Sequence, residues 1–276
     1  MNVLVALLVV AASAAVAIAA LLLVRRNAPD GSYFHDGDRA AGVFGVLATG
    51  FAVLLGLVVV LAFTSYDESR AGAETEALTL AQQYEVAQLL PSGAGRRLAS
   101  ELVCYGRSVV HQEWPRMQDG TQTDSANPWG LKLFRTLRTI DPKTAAEQAA
   151  YAKWLDQRSD RETARGDRTH GAEGVIPLPL WIVLLLSAVI IFVFMLFFAD
   201  SAERAVVQAT MMGGVAIVIT STLLLLWFLD HPYHSGPGGL RPVAMQRAID
   251  ILDQESAALD EKLTIPCDER GTRSGG

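Results

Sequence analysis

One apolar stretch of the chain carries small residues at the spacing of a single helix face. Within it, six positions recur three or four residues apart: Gly45, Thr49, Ala52, Gly56, Val59 and Phe63. A helix brings residues at this spacing onto one side, where small side chains let another backbone approach closely. The pattern is typical of helix packing. It also suits a helix that lines a pore in an oligomer, where apolar side chains form a constriction that gates by dewetting.

Two acidic residues follow this six-residue stripe. Asp67 and Glu68 lie just beyond Phe63, where the apolar stretch ends. In a ring of subunits, carboxylates that face the lumen would attract cations and repel anions at the pore mouth. Solvated residues at the exit of a helix are the alternative, and the sequence leaves both open.

Histidines are the other residues whose type and spacing could support chemistry. His231 and His234 are three positions apart. In a chain that crosses a membrane four times, His170 and Glu173 would lie on the same side as this pair. Such side chains can bind zinc, but there is no second close pair of ligands, no nucleophile constellation and no Gly-rich phosphate loop after a strand. We therefore favour loop or capping roles for the histidines and predict no enzymatic activity, no metal site and no cofactor.

Four apolar stretches position all these residues. Each is close to the ~20 residues that a helix needs to cross ~30 Å of hydrocarbon. They cover residues 3–24, 43–65, 176–199 and 205–229. We therefore predict an all-α, polytopic membrane protein with four transmembrane helices and the lipid bilayer as its first partner. The first stretch has an Ala-rich region like a signal-peptide cleavage site, but it lacks a positive n-region, so we expect a retained span.

Composition supports this division into apolar and polar parts. The chain is 51% hydrophobic, and its charged residues are concentrated outside the four stretches. A net charge of −6 gives no basic surface for nucleic acid, so we exclude DNA and RNA as partners.

The predicted spans divide the chain into four parts. These are a first transmembrane hairpin at 1–65, a helical soluble region at 66–173, a second transmembrane hairpin at 174–229 and a C-terminal polar tail at 230–276.

The soluble region reads as helical. The second span has no breaker before Pro91, so we expect it to continue to Leu90 as a rod of about 70 Å. Further helices are predicted at Gly95 to Glu113, Trp129 to Ile140 and Pro142 to His170, with a loop at Asp119 to Pro128. The last helix has a thin apolar face, formed by Ala149, Trp154 and Leu155, which needs a partner element or subunit.

The Lys and Arg residues near the span ends give conflicting indications of the membrane orientation. The first short loop contains Arg25, Arg26 and Arg39, which favour a cytoplasmic position for that loop. More basic residues lie near span ends on the opposite side: Arg70, Arg158, Arg161, Arg165, Arg168, Arg241 and Arg247. We therefore expect cytoplasmic termini and a cytoplasmic 66–173 region. Cys104 and Cys267 are then expected to be free thiols, and a disulfide between them would overturn this orientation.

Two segments of the chain resemble motifs of a known family. The run Leu61-Ala62-Phe63-Thr64-Ser65-Tyr66-Asp67 is similar to a bestrophin segment in which Phe-Arg-Thr-Asn precedes a Tyr and a charged helix. The run Phe228-Leu229-Asp230-His231-Pro232-Tyr233, followed by Leu240, is similar to an acidic residue followed by Asn-Pro-Phe-Gly and a Leu-Pro. The whole chain, with Tyr66-Asp67-Glu68-Ser69-Arg70 and Leu240-Arg241-Pro242-Val243-Ala244-Met245, also looks like a bacterial four-span family described as bestrophin-like.

The resemblance implies a homo-oligomer, pentameric in bestrophins, in which the second helices surround an ion pore and cytoplasmic helices extend it. Some family features are missing. No Arg occurs at Phe63-Thr64, Asp67-Glu68-Ser69 replaces a Trp-Trp pair, and no acidic calcium-binding cluster follows Tyr233. The permeating ion is therefore not implied.

Two hypotheses of function remain from the sequence. In the first, the chain forms an oligomeric ion channel with the second span lining the pore. In the second, it is a non-conducting membrane anchor or scaffold whose helical soluble region binds a partner protein.

Overall fold

The computed structural model describes residues 3–121, 127–258 and 263–273. Within these residues the chain is helical and forms no strand beyond a single bridge pair. The helices are α1 (Val3–Arg25), α2 (Gly37–Ala87), α3 (Ser92–Ser108), α4 (Trp114–Gln118), α5 (Pro128–Leu137), α6 (Ala145–His170), α7 (Leu178–Leu196), α8 (Ala205–Asp230) and α9 (Val243–Ala258). Helices α1, α2, α7 and α8 are long and apolar enough to cross a membrane, which confirms the predicted four-span, all-α fold.

Helix α2 is the longest element, and it runs on well beyond its apolar part. Its 51 residues correspond to about 77 Å at 1.5 Å per residue. The predicted continuation of the second span is therefore present. The helix ends at Ala87, three residues earlier than expected, because Pro91 is already the N-cap of α3 and leaves only a short turn between the helices.

The chain folds into two compact units. Unit 1 contains Met1–Thr64 and Val175–Asp230, and unit 2 contains Ser65–Gly174 and His231–Gly276. Each unit has its own buried residues and its own polar contacts.

In unit 1, helices α1 and α8 pack closely along their length. The hydroxyl of Thr220 donates to the hydroxyl of Ser13 at 2.9 Å, and Ser13 donates to the carbonyl of Val10 at 2.9 Å. A Cβ atom at Gly213 would lie 3.0 Å from Ile18, so glycine permits the close approach of the two helices. Small residues and paired hydroxyls are the means by which helices associate in lipid, where the hydrophobic effect does not drive them together.

The connections between spans in unit 1 are held by charge and by aromatic rings. The guanidinium of Arg25 donates to the carbonyls of Asp200 and Ser201 at 3.0 Å each. The ring of Phe34 lies 5.4 Å from that of Phe194 and 4.9 Å from that of Phe198. Arg25 thus fixes the end of α1 against the turn that links α7 to α8, and Phe34 fixes the connection from α1 to α2 against the end of α7.

Unit 2 has a core built by helices from distant parts of the chain. The residues at its centre are almost fully buried and include Leu80 and Tyr84 of α2, Leu98 and Leu102 of α3, Leu133 of α5, Trp154 of α6 and Leu252 of α9. Helix α9 lies in the segment that the sequence suggested was only a polar tail. Its pattern of Met245, Ala248, Ile249 and Leu252 at helical spacing is the signal that reveals it.

Helix boundaries in unit 2 differ from the prediction in two places. A π-helical turn, Val109–Glu113, continues α3 directly into α4, so Pro115 falls in the first turn of a new helix and does not end the old one. Helix α6 begins after Thr144 and not at Pro142, because Thr144 and Glu147 form a capping box. The predicted loop at Asp119 to Pro128 lies partly outside the described residues.

The predicted apolar face of α6 is right for Trp154, which is buried, and wrong for Ala149 and Leu155. Leu155 is 40% exposed and Ala149 is exposed, whereas Gln157, Arg161 and Arg168 are buried with Trp154. A helix can bury such a polar face only where partner groups satisfy it.

The expectation of free thiols is also wrong. Cys104 of α3 and Cys267 form a disulfide with a Cα–Cα distance of 5.9 Å. The same terminal segment is held by Trp129, whose indole N–H donates to the carbonyl of Gly271 at 2.6 Å, and by Gln112, which donates to the carbonyl of Arg270 at 2.9 Å. The two cysteines are 163 positions apart, so only the tertiary fold shows that they pair.

Candidate pore face of helix α2 and the buried ion network

The apolar part of α2 has one side that packs within unit 1. Phe51, Leu55, Val58 and Ala62 are each 8% exposed or less. Near the start of the helix, the ring of Phe44 stacks 5.8 Å from that of Phe194. This side of α2 is therefore covered by the chain itself.

The six-residue stripe lies on a different side of α2. Gly45, Thr49, Ala52, Gly56 and Phe63 are exposed, and Val59 is half-buried. A Cβ atom at Gly45 or Gly56 would meet no atom within 4 Å. At 3.6 residues per turn, the stripe is centred about 120° around the helix from the buried side.

The small residues of this stripe, Gly45, Thr49, Ala52 and Gly56, therefore do not serve packing inside the chain. Their spacing indicates either helix packing or the lining of a pore. If these residues pack against a helix, that helix must belong to another molecule. We call this stripe, Gly45, Thr49, Ala52, Gly56, Val59 and Phe63, the candidate face.

Beyond the candidate face, α2 carries both signs of charge. Asp67 and Glu68 are exposed, and Asp67 continues the spacing of the stripe. Arg70 and Glu74, at the next positions of the same spacing, form an exposed ion pair at 3.1 Å. Asp67, Arg70 and Glu74 share the side of the stripe and together carry a net charge of −1, whereas Glu68 lies about 140° around the helix from the centre of the stripe.

A buried ion network joins three elements of unit 2. The guanidinium of Arg168 on α6 is fully buried; it donates to both carboxylate oxygens of Glu76 on α2 and, at 2.6 Å, to Glu113 in the π-helical turn. Its backbone carbonyl accepts a hydrogen bond from the hydroxyl of Tyr233. One cation thus lies between two carboxylates that have no access to water.

Other polar groups complete the shell around these two acids. Glu113 accepts hydrogen bonds from Asn127 at 2.7 Å and from Arg165 at 3.3 Å. Glu76 accepts one from the hydroxyl of Tyr105 at 2.6 Å. Buried carboxylates are tolerated only when their oxygens are satisfied in this way.

The environment shifts the acidity of these groups. Burial alone would raise the pKa of Glu113, but the charges of Arg168 and Arg165 outweigh it and hold that pKa below its ordinary value of 4.5. Burial, together with the charge of Glu76, raises the pKa of Tyr105 well above 10.0. The network therefore contains an ionised Glu113 and a phenol that remains protonated as a donor.

A glycine permits this network to form. A Cβ atom at Gly72 of α2 would lie 2.6 Å from the backbone nitrogen of Arg168 and 2.7 Å from the carbonyl of Ala164. Helices α2 and α6 therefore cross in close backbone contact, which lets the short side chain of Glu76 reach the guanidinium.

This network was not predicted from the sequence, in which Arg161, Arg165 and Arg168 counted only as basic residues near a span end. Their spacing of four and three positions places them on one face of α6, with Trp154 and Gln157 further along the same face. Three arginines that share a face with a tryptophan are a usable signal of a buried polar face, but their acidic partners lie far away in sequence.

The acidic residue at the end of α8 has a structural role within unit 1. Asp230 is 3% exposed, and one of its oxygens accepts from the backbone N–H groups of Val175 and Ile176 at 2.8 and 3.0 Å. Its other oxygen accepts from the indole of Trp181 at 3.3 Å. It thereby holds the segment that leads into α7.

The histidines do not gather into a metal site in the described part of the chain. His170 ends α6, Glu173 lies in the following 3₁₀ turn, and His231 and His234 flank Tyr233. No group of three or more His, Cys, Asp or Glu side chains in residues 3–121, 127–258 and 263–273 is arranged to hold a metal ion.

The fold is similar to that of bacterial membrane proteins of known structure. Two of these structures are variants of a bestrophin homologue from Klebsiella pneumoniae. One has 15% identity and a TM-score of 0.66, over 93% of this chain and 99% of that chain. The other has 14% identity and a TM-score of 0.67, over 91% and 98%. A further crystal structure, described as a membrane protein, has 13% identity and a TM-score of 0.65, over 89% and 97%. The chain therefore has the bestrophin fold.

The family follows from the sequence match. A family model described as Bestrophin-like domain covers residues 6–237 of the 276. The chain belongs to this bestrophin-like family, which confirms the resemblance seen in its motifs. No curated protein matches the chain in sequence.

Arg168 supplies a direct test of the ion network. Arg168→Met leaves Glu76 and Glu113 buried without their cation, so we expect a loss of roughly 3–5 kcal/mol in the free energy of unfolding, measured by thermal or denaturant unfolding in detergent. Arg70→Met is the matched control; it breaks an exposed pair on α2 and should leave the unfolding transition unchanged. Equal effects of the two variants would show that the network does not stabilise unit 2.

Proposed function

We propose that the chain is a homo-oligomeric ion channel in which α2 surrounds the axis and the candidate face lines the pore. One observation carries the proposal: the small and apolar stripe of α2 is uncovered by its own chain, whereas the side about 120° around the helix is buried within the chain. Membership of the bestrophin-like family and the similarity to a bestrophin homologue support it.

The proposed pore has an apolar narrow part. Phe63 is 55% exposed, and Val59 lies one turn before it on the candidate face. Rings of these side chains, one from each copy, would form a constriction that excludes water until it widens.

Charge at the end of the stripe favours cations in this proposal. On the side of the candidate face, each copy contributes the carboxylate of Asp67, because the neighbouring cation Arg70 is already paired with Glu74. A ring of copies multiplies this negative balance and raises the local concentration of cations.

The proposal is tested by mass and conductance together. Native mass measurement in detergent is expected to give a ring of about five copies of the 29.7 kDa chain, and planar bilayers should show currents that reverse toward the cation equilibrium potential in a salt gradient. A monomer or dimer without current would contradict the channel and favour the scaffold hypothesis.

A substitution in the proposed constriction separates lining from packing. Phe63→Ala is expected to raise the single-channel conductance or the leak severalfold while the oligomer stays intact, because it widens an apolar ring. Leu61→Ala is the matched control, since Leu61 is 64% exposed but lies about 160° away around α2. If both variants conduct like the wild type, Phe63 does not line the pore.

We further propose that unit 2 faces the oxidising side of the membrane, opposite to the expectation from the sequence. The Cys104–Cys267 disulfide supports this orientation, because such bonds persist outside the reducing cytoplasm. The positive-inside rule applies mainly to loops shorter than about 60 residues, which gives weight to Arg25 and Arg26 and little to the long 66–173 segment.

Reporter fusions test the proposed orientation. Alkaline phosphatase fused after the C-terminus should be active and a green fluorescent protein at the same place dark, while insertion into the Asp200 to Arg204 turn should give the reverse pattern. Maleimide labelling of the unfolded, unreduced protein should find no thiol. An inactive phosphatase together with two labelled cysteines would restore the cytoplasmic orientation.

A further inference from the structure

Unit 2 contains a cavity whose walls are rich in arginine. Its volume is about 310 Å³, and it lies against α5 and α6 beside Tyr105 of α3. Arg158, Arg161 and Arg165 of α6 line it, and Glu162 is the one acidic side chain among the described residues that line it. These described lining residues carry a net charge of +2.

Two of these arginines already have acidic partners. Arg158 is paired with Glu162 at 2.7 Å, and Arg165 is paired with Glu113 at 3.3 Å. Their guanidinium groups can each make further hydrogen bonds, because an arginine carries five N–H donors.

Arg161 is different. It is only 1% exposed, and it pairs with no carboxylate among the described residues; its one hydrogen-bonding side chain there is the neutral amide of Gln83. Its Nε–H is buried and has no acceptor in that part of the chain. The ring of Tyr105, 4.7 Å from the guanidinium, offsets part of the cost of burying the charge.

A buried cation without a counter-charge is expensive, and arginine cannot escape by losing its proton. The neutral amide and the ring are weak substitutes for an anion. The structure therefore leaves a positive charge at a cavity that is open to a ligand.

The arginines at this cavity are held in place before any ligand arrives. The guanidinium of Arg158 lies 4.4 Å from the ring centre of Phe134, and that of Arg161 lies over Tyr105. Side chains fixed by stacking lose little freedom on binding, which favours affinity. A planar guanidinium also matches two oxygens of a phosphate or carboxylate group.

We propose that this cavity binds a small polyatomic dianion, with phosphate or carboxylate oxygens on Arg161 and with Arg158 and Arg165 completing the site. The volume is at the lower end of the range for small-molecule sites and is about ten times the space of one water, so a single halide would leave it mostly filled with solvent. The proposal does not depend on conduction, and binding to purified protein tests it whether or not a channel forms.

The test uses the full chain in detergent with inorganic phosphate and succinate as probes, each titrated by calorimetry at constant ionic strength. We expect saturable binding of at least one dianion with one site per chain, and a rise in the unfolding temperature that the same concentration of chloride does not produce. Phosphate and succinate arms distinguish which oxygen group the cavity prefers.

Variants assign the binding to the cavity. Arg161→Gln should weaken it at least tenfold, and Arg158→Gln, which alters a partly exposed side chain and leaves the Arg168 network intact, should weaken it severalfold. Arg138→Gln is the matched control, since Arg138 is exposed and lies outside the cavity.

If Arg161→Gln fails to fold, Arg158→Gln decides the result. Absence of saturable binding by both probes, a chloride effect equal to theirs, or an equal loss of binding in Arg138→Gln would overturn the proposal.

Discussion

The fully buried guanidinium of Arg168 is the contact on which unit 2 depends. It neutralises Glu76 of α2 and Glu113 of the π-helical turn, and its own backbone is held by Tyr233. Removing water from three charged groups is expensive, so this arrangement is stable only because every oxygen of the two acids has a donor. The close crossing at Gly72 brings α2 next to Arg168, and the π-helical turn contains Glu113. Helix α2 is thereby held by a contact that neither hydrophobic burial nor helix propensity specifies.

The spans could be predicted from sequence because the bilayer imposes a length and an apolar composition on each helix separately. The continuation of α2 could be predicted because nothing interrupts it before Pro91. The ion network could not, since Glu76 and Arg168 are 92 positions apart and each looks like an ordinary surface charge. The disulfide between Cys104 and Cys267 was missed for the same reason, since the two residues are also far apart in sequence. Free thiols were expected from a cytoplasmic orientation, which was inferred from arginines, and two of these arginines are buried.

The candidate face shows a different limit of sequence analysis. Its spacing and residue types were visible, but α2 is apolar on nearly all sides within the span, so composition did not distinguish a side that packs within the chain from one that faces lipid or a lumen. The structure makes that distinction, because it buries Phe51, Leu55 and Val58 and leaves Gly56 open. The sequence drew attention to Asp67 and Glu68 beyond the stripe, but it marked Arg70 only as a basic residue near a span end and did not reveal its pairing with Glu74.

The central claim is that the candidate face of α2 meets its counterparts around an axis, and disulfide cross-linking tests it most directly. Gly56→Cys lies on the candidate face and Leu55→Cys on the side that is buried within the chain. With a mild oxidant in native membranes, the account predicts covalent dimers from Gly56→Cys and none from Leu55→Cys. Dimers from neither variant, or equally from both, would contradict it.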